Sequence, residues 1–228
     1  MAVNHRNFIR WHVWLGWLIG VPLIIWTASG LLMVAQPIEE VRGNHLRSEQ
    51  PALDPIIAVA PMLEGRQAKS LSLQQNTLGP FWVITYADGG KRRADAATGE
   101  LLPSIAAADA SAIAIAARTG NAAIESVEKF AVDSAPLDLR RDRPSWLVAF
   151  EDDARFYIDA DTGELLAVRT KFWRVFDFMW GLHIMDLQTR EDSSHPILIG
   201  SAALALFGSI LGFVMLFTRS RRDSRKSE

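Results

Sequence analysis

Residues 82–102, WVITYADGGKRRADAATGELL, return as residues 146–166, WLVAFEDDARFYIDADTGELL. The copies align without a gap: Trp82 and Trp146, like Gly99 and Gly163, lie 64 residues apart. A match of this length indicates a duplicated supersecondary module. In each copy an alternating apolar run, residues 82–86 or 146–150, enters an Asp- or Gly-containing turn, the pattern of a hairpin strand. A second strand follows, clearest at residues 155–159. A tight TGE turn, its glycine suited to positive φ, then leads into a Leu-Leu pair that starts another strand.

Working outward, an apolar helical pattern precedes each hairpin. DPIIAVAPML (residues 54–63) offers Asp54 as an N-cap and Pro55 at the first helical position. DASAIAIAARTG (residues 109–120) closes on Gly120. The middle of the chain therefore reads as helix plus antiparallel meander, twice, over about residues 52–103 and 109–168. This is an α+β unit.

Beyond the repeats lie two runs free of Asp, Glu, Lys and Arg, residues 11–35 and 196–218. Each exceeds the roughly 20 residues that cross a hydrocarbon core about 30 Å thick. Backbone in lipid must satisfy its own hydrogen bonds, so both runs are expected to be helices. The first could pass for a signal peptide, since TASG supplies small residues, but it outruns the roughly 7–15 residues of a signal's apolar core. It reads as an uncleaved anchor. Basic residues flank the outer sides of both runs: His5, Arg6 and Arg10 before the first, RSRRDSRK after the second. The positive-inside rule then puts residues 1–10 and 219–228 in the cytoplasm and the central domain, residues 36–168, in the periplasm of a bacterium. Residues 169–195 read as an amphipathic interfacial helix and loop.

Composition narrows the chemistry. A net charge of −2 over 228 residues lacks the basic surface of a nucleic-acid binder. With no cysteine there are no disulfides, thiolate zinc sites or iron–sulfur ligands. No P-loop, dinucleotide fingerprint, nucleophile elbow or HExxH is present. The run Arg140-Arg141-Asp142-Arg143 reads as solvated surface. Histidine is left as the ligand type to weigh.

The doubled D-x-x-TGE-LL pattern held between membrane helices resembles the PepSY domain of PepSY-associated transmembrane proteins. The opening span, IRWHVWLGWLIGVPLIIWTASGLLM, is similar to that family's first helix. His12, Trp14, Leu15 and Gly16 fall on its motif positions, and Ser29-Gly30 on its Thr-Gly. LHIMDLQTREDSSHPILIG resembles the stretch leading into a later helix. The resemblance implies a membrane protein with a tandem PepSY-like domain. For larger members it implies links to iron uptake and haem-bearing ferric-siderophore reductases, and for stand-alone PepSY domains an effect on peptidases.

His12 lies one turn inside span one, with Gly16 and Gly20 below it at i+4 and i+8. It is a candidate haem-iron ligand, or an interfacial histidine above a helix-packing motif. If residues 171–187 are helical, Phe172, Phe176, Met179, Trp180, His183 and Leu187 share a face, away from Lys171, Arg174 and Asp177. That face would turn His183 toward lipid or neighbouring helices, as a second candidate ligand. His195, at the start of span two, is the third; His5 and His45 lack a supporting pattern. Asp186, Glu191 and Asp192 could orient a ligating histidine, or join His183 and His195 in a bare metal site.

His12 and the outer pair stand at opposite ends of a membrane span, so they cannot share one haem. A homodimer supplies the missing ligands, pairing His12 with its mate and His183 or His195 with its mate. Gly16 and Gly20 in span one, and Ser201, Ala205, Gly208 and Gly212 in span two, permit close helix packing. The leading expectation is an inner-membrane haem-b electron-transfer component for ferric-iron reduction or iron uptake, with a redox partner. The alternative is a non-enzymatic anchored domain that binds a peptidase or envelope protein.

Overall fold

A computed structural model describes the backbone of residues 5–224, and the side chains of residue 10 and residues 13–213. In chain order the elements are helix α1 (His5–Val34), the single turn α2 (Ile38–Val41), strands β1 (Ala68–Asn76), β2 (Gly79–Tyr86) and β3 (Lys91–Asp95), and helix α3 (Ala107–Ala116). Strands β4 (Ile124–Phe130), β5 (Ser145–Phe150), β6 (Arg155–Asp159) and β7 (Leu165–Arg169) follow, then helices α4 (Lys171–His183) and α5 (Pro196–Ser224). The chain divides into two units, Met1–Gln36 with Val175–Glu228, and Pro37–Arg174.

In the first unit, α1 and α5 are long and apolar enough to cross a membrane, over Val13–Val34 and Pro196–Phe213. Only 6% of the first span and 0% of the second is buried, so neither is the core helix of a water-soluble fold. Apolar surface exposed on that scale needs lipid around it. The two helices close up at Gly208, where an added Cβ would stand 2.8 Å from Ile19 Cδ1. Glycine lets the backbones approach there. Gly16, Gly20 and Gly212 have open space around them among the described residues. An apolar cavity of about 380 Å³ lies between the helices, lined by Ile19, Pro22, Trp26, Met185 and Ala205 among others.

The second unit holds two antiparallel sheets, β1-β2-β3 and β4-β5-β6-β7. The sequence repeat returns as a repeat of register: Trp82 pairs with Ala94 as Trp146 pairs with Ile158. Trp82 Nε1 donates to the Val59 carbonyl at 2.8 Å, and Trp146 Nε1 to the Ile105 carbonyl at 2.9 Å. The TGE turns match as well. Asp95 Oδ1 accepts from the N–H of Ala97 and Thr98, and Asp159 Oδ1 from those of Asp161 and Thr162. Gly99 and Gly163 sit at φ +75° and +79°, where glycine avoids a Cβ penalty.

The copies part company in three places. The expected helix over residues 54–63 does not form; that stretch is extended, with Val59 N–H on the Ala96 carbonyl and Met62 N–H on that of Gly99. Pro61 bars Ala60 from the helical region, and the β-branched residues before it favour extension. Asp54, expected as its N-cap, instead exchanges two hydrogen bonds with the Gln75 amide, each 2.8 Å. After the first TGE turn only an isolated bridge, Ala94 to Leu101, replaces the expected strand. Pro103 stops it there, whereas the second copy runs on into β7. Finally, the bulges that open β1 and β4 lie only 56 residues apart (Ser70 and Ser126), so the β4–β5 connection is the longer one.

That longer connection has a packing consequence. One face of the second sheet (Val148, Phe150, Phe156, Ile158, Val168) packs on Ala110, Ile113 and Ala114 of α3. The other face (Leu147, Tyr157, Leu166) is covered by Leu139, Phe130 and Ala135, from the end of β4 and the connection itself. α3 begins at Ala107 and ends at Ala116, so Gly120 lies beyond it rather than closing it. Arg143, read from sequence as solvated, binds the wholly buried Asp159 at 2.7 and 3.0 Å and Asp161 at 3.2 Å.

Candidate functional site

The strongest histidine site lies in the first unit, where His183 meets α1. α4 is capped by Thr170 Oγ1, which accepts from Trp173 N–H at 2.9 Å, and its last residue is His183. The imidazole stacks on the Trp26 indole, with centroids 4.9 Å apart and an interplanar angle of 17°. Its Nδ1 lies 3.1 Å from both the Trp26 carbonyl oxygen and Ser29 Oγ. Ser29 is buried and gives its own proton to the Trp26 carbonyl at 2.9 Å. A carbonyl oxygen only accepts, so Nδ1 carries a hydrogen. The neutral ring then keeps its lone pair on Nε2.

The other predicted residues are differently placed. His195 immediately precedes α5: its carbonyl accepts from Ile199 N–H at 3.2 Å and its Nδ1 from Ile197 N–H at 3.4 Å. Accepting at Nδ1 puts the neutral ring's hydrogen on Nε2, which opposes ligation through that nitrogen. The side chain of His12 lies outside the described residues. Its backbone lies 17 positions before Ser29 in the same helix, roughly 25 Å along the axis at about 1.5 Å per residue.

Asp186 does not face His183. Its carboxylate accepts from the backbone N–H groups of Gln188, Thr189, Glu191 and Asp192 at 3.1–3.2 Å, and from the Thr189 hydroxyl. The Thr189 hydroxyl first, then these N–H groups, hold its carboxyl well below the usual carboxylate range against the opposing effect of burial. Among the described residues no three His, Asp or Glu side chains converge to hold a bare metal ion. Asp177, expected on the polar side of α4, is buried and receives Arg190 Nη1 at 2.6 Å; Val175 and Phe178 are exposed instead. Leu187 lies beyond the helix end.

Sequence reasoning missed the partners of His183. The available signal was Thr27-Ala28-Ser29-Gly30, small and partly polar within an apolar span. Nothing in the sequence said which side chain would fill the space it leaves.

A family model described as the PepSY-associated TM region matches residues 9–227. No curated protein and no solved structure matches the chain.

Proposed function

This chain belongs to the PepSY-associated TM family, and we propose that it is a membrane electron-transfer component carrying haem b between two copies of itself. One observation carries the reading: His183 is held by Nδ1, leaving Nε2 as the nitrogen able to ligate iron. Ligating histidines are ordinarily oriented this way, through a hydrogen bond at the second ring nitrogen. One chain supplies one such histidine at that end of α1. A second copy would complete a bis-histidine site there, and His12 with its mate a second site at the other end. Haem, when bound, supplies a one-electron couple, here directed toward reduction of ferric or siderophore-bound iron. Basic flanks favour cytoplasmic termini in the inner membrane, with the second unit in the periplasm.

The test is the absorption spectrum of full-length protein, purified in detergent from haem-replete cells, oxidised and dithionite-reduced. The expected result is a Soret band that His12→Ala or His183→Ala each reduces by about half, and that the double variant abolishes. A colourless, folded preparation overturns the reading. It would favour the alternative of an anchored, non-enzymatic module binding a peptidase or envelope protein. One feature supports that alternative: a groove of about 630 Å³ in the second unit, lined by Arg47, Gln50, Gln74, Asn76 and Phe81 among others.

A further inference from the structure

Within α1 an adjacent serine and glycine are costly choices, since both are poorer helix formers than alanine, the glycine by about 1 kcal/mol. Both touch His183. Ser29 Oγ lies 3.1 Å from Nδ1. At Gly30 an added Cβ would stand 3.1 Å from His183 Cε1 and 3.5 Å from Nδ1. Any side chain there would press on the imidazole and lift it from the Trp26 carbonyl.

We infer that Ser29 and Gly30 are positioning residues that seat His183 on α1 and lock its neutral ring in the Nδ1–H form, with Nε2 as its only acceptor. Each part of the seat has its own task. The Trp26 carbonyl defines the hydrogen, because it offers no proton in return. Ser29 has already given its proton to that carbonyl, so toward His183 it too acts as an acceptor. Gly30 supplies the clearance, and the Trp26 ring fixes the imidazole plane. The chemical class such a nitrogen serves is a transition-metal centre. That last step rests on the haem reading; the tautomer itself does not.

The experiment separates the two. Full-length protein labelled with ¹⁵N-histidine, from haem-starved cells and held in detergent at a pH where the ring is neutral, is read by nitrogen chemical shifts. His183 is identified by its loss in His183→Asn. The expected pattern is a protonated Nδ1 and a bare Nε2, the reverse of the form free histidine favours. Ser29→Thr and Trp26→Phe should keep it, since the first retains the hydroxyl and the second the backbone carbonyl. Gly30→Ala should shift it toward the free-histidine pattern, and Gly30→Val further. If either glycine variant fails to fold, Ser29→Ala, which changes no packing volume by more than one atom, should still show a partial shift. Wild-type His183 protonated at Nε2, or the wild-type pattern retained in Gly30→Ala and Ser29→Ala alike, overturns the inference whether or not haem binds. If the haem-loaded protein forms, Ser29→Ala should also raise its reduction potential by weakening ligand basicity; an unchanged potential counts against the seat while leaving haem binding intact.

Discussion

At the scale of single residues, the clearest energetic statement concerns Arg143 and Asp159. The aspartate is wholly buried, and the guanidinium that forks onto both oxygens supplies the opposite charge beside the N–H groups of Asp161 and Thr162. Removing one partner of a buried pair costs about 3–5 kcal/mol. Arg143→Ala should therefore lower the unfolding midpoint of the full-length protein sharply, followed by tryptophan fluorescence in denaturant. Arg143→Lys should recover little, because a point charge cannot bind both oxygens. This pair was not readable from the sequence, where Arg143 closes a run of three arginines around Asp142. Charge runs carry no record of which member turns inward. His183 was readable as a candidate because it recurs on an apolar helical face. Its partners were not, because they lie 154 and 157 positions away along the chain.

At the scale of elements, two turns alike in sequence differ in their neighbours. A Cβ at Gly99 would collide with the Ala60 carbonyl oxygen, whereas at Gly163 the nearest atom is the flexible end of Ile105, at 3.0 Å. Both substitutions to alanine carry the left-handed penalty of about 1–2 kcal/mol. Gly99→Ala must also displace backbone, so it should depress the melting temperature more than Gly163→Ala, a difference calorimetry or fluorescence melts can read. The loop held by Asp186 gives a pH test. Its carboxyl is held down in the folded state, so its contribution is complete above the ordinary carboxyl value of about 3.9 and fades as pH falls from there. Protection factors of the Glu191 and Asp192 amides, taken relative to intrinsic exchange, should thus hold at pH 5 and decline progressively as pH falls below 4, while Asp186→Asn should lose that protection at both. The hairpins that begin at β2 and β5 were legible here because period-2 alternation and a 64-residue self-match both survive in the sequence, whereas β1 and β4, which precede them, were not read from it. The missing first helix was not: its apolar spacing suits either conformation, and Pro61 together with the Val59 and Met62 N–H bonds to the Ala96 and Gly99 carbonyls decided the outcome.

At the scale of the molecule, the apolar spans were legible because lipid selects by length and charge alone. Membrane character follows from them and from the family match. What holds the two sheets of the second unit together was not legible. Glu164, from the second TGE turn, accepts from Gln74 Nε2 at 3.0 Å and Lys91 Nζ at 3.1 Å, both in the first sheet, and from Thr162 in its own turn. Its counterpart Glu100 is exposed and receives no such bond among the described residues. Two glutamates at matching positions of the repeat thus stand under unequal constraint. A saturation library covering both should tolerate nearly every amino acid at 100 and reject most at 164, where one carboxylate is the clasp between neighbouring sheets.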